Sequence, residues 1–191
     1  MFSNYNLMIF LGVLMSDDVQ VLGEEWIYQG RKVKLKKLLL KIRGSKTFHE
    51  IVEFGESVAI LPLKGDSVIL ERQFRGAIGG WILEIPAGKV EKGEKAEDAA
   101  KRELIEEIGY EPGELRYLGT FILTPGYSDE KIHIFVARNL RYVGQRLEKH
   151  EAIKTMEVPY DRFLDMIMSG EIRDAKTVLA TLLYESKVRC K

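Results

Sequence analysis

Two runs of β-branched and other apolar residues flank a glycine turn near the middle of the chain. They are SVAILPL (57–63) and SVILERQF (67–74), and Lys64-Gly65-Asp66 separates them. This arrangement predicts a β-hairpin. Further predicted strands are WILEIP (81–86), LRYLGTFILT (115–124), KIHIFVARNL (131–140) and KTMEVP (154–159). The segment TPGYSDE (124–130) has the Pro, Gly and Asp content of a loop.

Residues 16–55 also have a β pattern. Val19, Val21, Trp26 and Tyr28 lie in extended-looking stretches, and Gln29-Gly30 offers a turn. Two more candidate strands follow, VKLKKLLLKI (33–42) with partial alternation and FHEIVEF (48–54). These features predict a small antiparallel β domain over residues 16–55.

Three later segments have helical periodicity. In KAEDAAKRELIEEI (95–108), Ala96, Ala100, Leu104 and Ile108 recur every four residues and are expected to face the core. Gly109 follows, where a helix commonly ends in a left-handed residue. YDRFLDMIMSG (160–170) and DAKTVLATLLYES (174–186) are predicted as amphipathic helices, the second capped by Asp174.

The first 15 residues differ from the rest. The apolar run 7–15 is far shorter than the ~20 residues that a membrane helix needs. No Lys or Arg precedes it, so the charged start of a secretory signal is missing. We interpret residues 1–15 as an N-terminal extension that is disordered or a misassigned start. An extra strand or interface segment and a targeting sequence remain the alternatives.

Composition narrows the class of protein. The 191 residues suit one domain of catalytic size with a small appendage, and 46% are apolar. With 29 basic and 29 acidic side chains the net charge is zero, which argues against a nucleic-acid binder. A single Cys excludes an intrachain disulfide framework and favours a reducing, cytoplasmic compartment. The neutrality hides segregation, because residues 30–49 carry eight bases and no acid, whereas 84–107 carry eight acids against five bases.

The acidic part of the predicted helix is the strongest candidate for chemistry. Glu103, Glu106 and Glu107 stand at i, i+3 and i+4 and therefore share one face. The three carboxylates repel one another, and Arg102 offsets part of this electrostatic cost. A hard divalent cation bound to them would turn the cost into a stabilisation. A solvated acidic helix face is the alternative. The three histidines, His49, His133 and His150, have no metal-ligand spacing.

Residues 88–110, GKVEKGEKAEDAAKRELIEEIGY, resemble the Nudix box, G-x5-E-x7-R-E-U-x-E-E-x-G-U, where U is a bulky aliphatic residue. The matching positions are Gly88, Glu94, Arg102, Glu103, Leu104, Glu106, Glu107 and Gly109; the final position is Tyr110, a departure from the aliphatic rule. The resemblance implies hydrolysis of a nucleoside diphosphate linked to another moiety, with Mg²⁺ or Mn²⁺.

The same resemblance implies roles and a fold. Glu103, Glu106 and Glu107 would bind metal together with the backbone carbonyl of Ala87, while Gly88, Glu94, Arg102 and Gly109 would support the loop and helix. The implied fold is α+β, a Nudix-type α/β/α sandwich with a mixed sheet, over residues 56–191. The N-terminal β domain of residues 16–55 would help to form a homodimer.

Flanking residues resemble the ADP-ribose pyrophosphatase branch. They are the lead-in Glu84-Ile85-Pro86-Ala87-Gly88, QFR (73–75), EIRDAKT (171–177) and Pro125, 16 residues after Gly109. The implied reaction converts ADP-ribose and water to AMP and ribose 5-phosphate. Glu151 is the expected general base and Glu148 the runner-up, which makes them candidate catalytic residues alongside Glu106. A solvated loop position is the alternative for both.

Candidate contacts to this small-molecule substrate have weaker support in the sequence than the metal ligands. Arg75 is a candidate for a phosphate, Glu84 for a sugar hydroxyl or metal, and Trp26 and Tyr28 for stacking on adenine. Gly126, Ser128 and Glu130 are candidates for the pocket lining. The alternative for Arg75 is a surface ion pair, and for Glu84 it is a charge on an edge strand. For Trp26 and Tyr28 it is packing in the core or in an interface.

For the whole chain, the rivals are a Nudix hydrolase of another nucleoside diphosphate sugar or dinucleotide, an enzyme for oxidised nucleoside triphosphates, and a non-catalytic nucleotide-binding regulator.

Overall fold

The computed structural model describes residues 18–147, 149 and 151–189. The predicted extension 1–15 and the candidate Glu148 lie outside these residues. Two compact units divide the described chain. The first comprises residues 18–54 with Thr124–Asp129, and the second comprises Gly55–Leu123 and the residues from Glu130 onward. None of the described helices is long and apolar enough to cross a membrane.

The first unit is a three-stranded antiparallel sheet. Its strands are β1 (Val19–Gln29), β2 (Lys34–Ile42) and β3 (Ser45–Glu53), in that spatial order. The tight β2–β3 turn has Arg43 and Gly44 both at positive φ (48° and 85°), as a two-residue hairpin requires. The predicted N-terminal sheet is therefore confirmed.

The loop Thr124–Asp129 belongs to this first unit because it pairs with the end of β3. The amide of Val52 donates to the carbonyl of Tyr127 (2.7 Å), and the amide of Asp129 donates to the carbonyl of Val52 (3.3 Å). The Asp129 carboxylate also accepts a hydrogen bond from the amide of Phe54 at 2.7 Å.

The second unit contains a seven-stranded sheet. Its strands are β4 (Glu56–Lys64), β5 (Ser67–Arg75), β6 (Gly80–Glu84), β7 (Ala87–Lys89), β8 (Tyr110–Ile122), β9 (Lys131–Tyr142) and β10 (Ile153–Pro159). The order is β10-β5-β4-β9-β8, with β6 paired to β5 and β7 to β4. The β4–β9 pair is parallel and the others are antiparallel, so the sheet is mixed, as predicted. The short strand β7 was not predicted.

Helices cover both faces of this sheet. They are α1 (Ala96–Glu103), continued by a π-helical segment Leu104–Ile108, then α2 (Tyr160–Met168) and α3 (Ala175–Tyr184), continued by a second π-helical segment Glu185–Arg189. All three predicted helices are confirmed, and the Asp174 side chain caps α3 by accepting from the amide of Thr177.

Alternation along β4 explains the layers. Val58 and Ile60 pack with Ala100, Leu104 and other residues of the α1 side. Their neighbours on the opposite face, among them Ala59, Leu61 and Leu63, pack with Phe163, Met166, Ala180 and other residues of the α2–α3 side. A strand that is apolar on both faces is expected in a sheet covered on both sides. The α/β/α sandwich is therefore confirmed.

Candidate active site

The helix α1 and its π-helical continuation place three glutamates in and beside the core of the second unit. Glu103 and Glu107 are only 8% and 3% exposed, whereas Glu106 is half-buried. Burial raises the pKa of Glu103 to about 7 and holds the pKa of Glu107 well above its usual range, because a buried carboxylate loses its hydration. π-helical turns are rare and are found frequently at functional sites.

Arg102 ties these glutamates to the loop before the helix. Its guanidinium donates to Glu103 Oε1 (2.6 Å) and Glu106 Oε2 (2.9 Å). The same group donates to Glu94 (3.0 Å and 3.1 Å) and to the carbonyl of Lys89 (2.9 Å). The hydrogen bond from Arg102 keeps the pKa of Glu94 low. Arg102 thus joins the helix glutamates to the preceding loop, and the supporting roles of Arg102 and Glu94 stay predictions.

The chain leading into the helix lies against the same carboxylates. The amide of Ala87 donates to Glu107 Oε2 at 2.8 Å. A Cβ on Gly88 would lie 1.9 Å from Glu103 Oε1, so only glycine leaves room for that carboxylate. Ala87, Gly88, Glu103 and Glu107 thus form one contiguous group.

Glu71 is a further member of the site that sequence reasoning missed. It stands opposite Glu84 in the β5–β6 pair, and both residues are fully buried. Apart from the neighbouring carboxyl group of Glu107, neither carboxyl oxygen of Glu71 has a hydrogen-bond partner among the described residues. Burial, followed by the negative charge of Glu84, raises the pKa of Glu71 to about 8. In the sequence, the feature that points to Glu71 is an acidic residue directly after the apolar run 68–70.

Glu84 is an ion-paired residue of the interior. Arg75 donates to both of its oxygens, each at 2.7 Å, and Lys176 of α3 donates to Oε2. Lys176 also donates to Asp174 Oδ1 at 3.0 Å. Burial opposes the charge on Arg75, but the hydrogen bonds to Glu84 outweigh it and raise the pKa of the guanidinium. Sequence reasoning did not anticipate Lys176 in this cluster.

The remaining predicted residues divide between the two units. Half-buried Glu151 lies near the helix glutamates, because its charge adds, after burial and the neighbouring carboxylates, to the raised pKa of both Glu103 and Glu107. Glu130 belongs to the second unit and accepts a hydrogen bond from Ser57 Oγ at 3.1 Å. The first unit contains the other predicted substrate contacts, Trp26, Tyr28, Gly126 and Ser128. Their roles stay predictions.

The chemistry of this cluster fits a hard divalent cation. Carboxylate oxygens are the donors that Mg²⁺ and Mn²⁺ prefer, and the two oxygens of Glu71 lie in the interior. No three His, Cys, Asp or Glu side chains among the described residues are already arranged to hold a metal ion. Arg102 and the amide of Ala87 occupy oxygens of Glu103, Glu106 and Glu107. A cation would compete with Arg102 for these carboxylates.

Known proteins resemble this chain in sequence and in fold. A family model described as the NUDIX domain matches residues 53–179. The ADP-ribose pyrophosphatase of Bacillus subtilis (strain 168) is 34% identical over 91% of this chain and 96% of its own length. The GDP-mannose pyrophosphatase of Shigella flexneri serotype 5b (strain 8401) is 39% identical over 65% of this chain and 70% of its own. A solved structure titled "Crystal structure of ADP compounds hydrolase" has a TM-score of 0.82 and 24% identity, covering 91% of this chain and 95% of that one.

Proposed function

The chain belongs to the NUDIX family, and from that premise we propose that it hydrolyses the diphosphate bond of ADP-ribose to AMP and ribose 5-phosphate, with a divalent cation. The observation that carries the proposal is the buried carboxylate group. Glu71, Glu103 and Glu107 are held in the interior with raised pKa values, and Arg102 and the amide of Ala87 donate to the last two. In its ionised form such a group is costly to bury unless a cation compensates it.

Glu103, Glu106 and Glu107, with the carbonyl of Ala87, are the residues proposed to hold Mg²⁺ or Mn²⁺. When bound, the cation supplies charge neutralisation for the diphosphate and a lowered pKa for the attacking water. Glu71 lies beside Glu107 and, after burial, is the next cause of the raised pKa of that residue, so its ionised form would add negative charge for the cation to neutralise. Arg102 balances the carboxylates in the cation-free state through its bonds to Glu103 and Glu106.

Glu151 is proposed as the general base. Its carboxylate would accept a proton from the attacking water as the new oxygen–phosphorus bond forms and the bridging oxygen leaves with the second phosphate. The position of Glu151 near Glu103 and Glu107 supports this role, because a base must come within hydrogen-bond reach of the water in the substrate complex.

Arg75 is proposed to orient the diphosphate. Its Nε and Nη2 are taken by Glu84, which aims the planar guanidinium and leaves Nη1 for a phosphate oxygen. Glu84 is engaged by two cations, Arg75 and Lys176, so we assign it to aiming Arg75 rather than to a sugar hydroxyl or a metal.

A second substrate is favoured by the likeness to GDP-mannose pyrophosphatase, and another nucleoside diphosphate sugar or dinucleotide belongs to the same class. The test is a panel with Mg²⁺: ADP-ribose, ADP-glucose, GDP-mannose, NADH, diadenosine polyphosphates and nucleoside triphosphates, each followed to identified products. We expect the highest kcat/KM for ADP-ribose. A higher value for GDP-mannose would move the assignment to that substrate, and hydrolysis of none would favour a nucleotide-binding regulator.

We also propose that two copies associate through the first unit. Strand β1 pairs only with β2 in the described chain and exposes several large apolar residues: Val21, Leu22, Trp26, Ile27 and Tyr28. Exposed apolar patches of this kind mark interaction surfaces. Sedimentation should give a species of twice 21.9 kDa, and Ile27→Asp should lower that mass. A monomer at working concentration would remove the dimer from the account.

A further inference from the structure

The end of the active-site helix obtains its hydrogen-bond donors from a distant segment. A helix leaves its last carbonyls without partners inside the helix. Here Glu107 is 3% exposed and Gly109 is buried, so water cannot readily serve. The donors come from the segment Val143–Arg146, which follows β9. The amide of Val143 donates to Gly109 O (2.8 Å) and that of Arg146 to Glu106 O (3.0 Å).

The third donor is a side chain. The carboxamide of Gln145 donates from Nε2 to the carbonyl of Glu107. Contact between this segment and the helix end is close, because a Cβ on Gly109 would lie 2.7 Å from Gln145 N and 3.0 Å from the carbonyl carbon of Gly144. Gly109 therefore serves two needs: a left-handed φ of 79° and room for the segment 143–146.

The same segment leads directly to Glu151. Beyond Glu151 the chain is held again, because Ala152 O accepts from the amide of Phe74 (3.4 Å) and Ile153 pairs with Gln73 in the β10–β5 ladder. Segment 143–146 is thus tied to the carbonyls of Glu106, Glu107 and Gly109, and Ala152–Ile153 is tied to the strand that carries Glu71. Of the three ties of segment 143–146, only that of Gln145 depends on a side chain.

We propose that Gln145 is a positioning residue, whose carboxamide on the Glu107 carbonyl fixes the loop that carries Glu151 against the helix that carries Glu103, Glu106 and Glu107. This inference rests on the proposed function, in which Glu151 takes the proton of the attacking water. An error of about 1 Å in such a placement costs on the order of 100-fold in rate.

Two substitutions separate the hydrogen bond from the bulk of the side chain. Gln145→Glu has the same shape but loses the donor and puts a negative charge at the C-terminal end of the helix, which the helix dipole disfavours. Gln145→Lys keeps an N–H donor and brings a favourable charge to the same end. We expect Gln145→Glu to lower kcat about 10- to 100-fold with KM within about threefold, and Gln145→Lys to keep most of the turnover.

The matched control is Gln20→Glu, the same change at an exposed position of β1, which should keep wild-type turnover. Hydrogen–deuterium exchange of the peptide covering 143–146, without metal or substrate, gives a readout independent of activity. Exchange there should be faster in Gln145→Glu than in the wild type or in Gln145→Lys. If Gln145→Glu does not fold, Gln145→Met removes the same donor without adding a charge.

The outcomes are distinct. If the wild type hydrolyses nothing in the panel, the proposed function fails, and the exchange data still decide whether Gln145 holds the segment. Wild-type exchange and wild-type turnover in Gln145→Glu would overturn the inference. So would equal losses of turnover in Gln145→Glu and Gln145→Lys, because the N–H donor that lysine keeps would then make no difference.

Discussion

The carboxylate of Glu103 fills the space that a side chain on Gly88 would need. A Cβ built on Gly88 would lie 1.9 Å from Oε1 and 2.5 Å from Oε2 of Glu103. Real contacts are never this short, so any other residue at 88 must displace the carboxylate. The first glycine of the motif thus has a local physical reason, namely space for a buried glutamate.

Gly88→Ala should therefore impair the site while the protein still folds, because the displaced atoms are the end of a flexible side chain. We expect turnover to fall about 10- to 100-fold, the range seen when residues that orient metal ligands are changed. The measurement is kcat with Mg²⁺ beside the urea midpoint. Gly76→Ala is the control, since a Cβ there meets nothing within 4 Å. Equal activity of the two variants would contradict the role of Gly88.

Thr177 connects α3 to the lead-in of the active site. Its hydroxyl donates to Asp174 Oδ2 (2.6 Å) and accepts from the buried amide of Ile85 (3.0 Å). Thr177→Val would leave that amide without a partner, at a cost of about 1–3 kcal/mol in the free energy of unfolding. Thr177→Ser keeps the hydroxyl and should be much closer to wild type. Urea unfolding of both variants checks this, and a valine variant as stable as the serine variant would refute it.

The stability of the metal-free protein should depend on pH in an unusual direction. Burial raises the pKa of Glu71 to about 8 and that of Glu103 to about 7, so the folded chain holds these protons more tightly than the unfolded chain. Their contribution is complete below the ordinary carboxyl pKa and is lost as pH rises through about 7 to 8. Each such group lowers the free energy of unfolding by up to about 1.4 kcal/mol per pH unit between its ordinary pKa of 4.5 and its raised pKa, and the loss is complete above the raised value.

Glu71→Gln isolates this effect, because the amide stays neutral at every pH. In EDTA, the variant should match wild type near pH 5 and exceed it at pH 8.5. Urea unfolding at several pH values gives the difference. Added Mg²⁺ should stabilise the wild type more as pH rises, since cation binding favours the ionised carboxylates. A wild type that gains on the variant as pH rises in EDTA would show that Glu71 is charged throughout.

Glu151→Gln tests the proposed base. We expect kcat to fall about 10²- to 10⁴-fold, the usual contribution of general base catalysis, with the unfolding midpoint unchanged. Glu157→Gln is the control, because Glu157 is an exposed residue of β10 whose partner is Lys64 (2.6 Å). Wild-type turnover in Glu151→Gln would remove that residue from the mechanism.

Local patterns in the sequence predicted most of the fold. The β4–β5 hairpin, the period-four helix ending at Gly109 and the Asp174 cap are set by neighbouring residues, and all three are present. The π geometry of Leu104–Ile108 escaped prediction, since its residues fit the α-helical period equally well. It coincides with donors supplied by residues 143–146, far along the chain.

The same limit applies to the site. The motif located Glu103, Glu106 and Glu107, because their spacing is local. In the sequence alone, Glu71 is a single polar residue within a predicted strand. Only the β5–β6 pairing brings it opposite Glu84. Lys176 meets Glu84 across 92 positions of sequence. Contacts of that range depend on the packing of α3 against the sheet, which no short pattern encodes.

Release of products from ADP-ribose by the wild type and by Glu107→Gln, measured side by side with Mg²⁺, tests the proposed cation-dependent hydrolysis. We expect AMP and ribose 5-phosphate in equal amounts from the wild type. We also expect a loss of about 100-fold or more in the variant, because Glu107 is a buried member of the group proposed to hold the cation. A folded wild type that releases neither product, or full turnover in Glu107→Gln, would contradict the proposed hydrolysis.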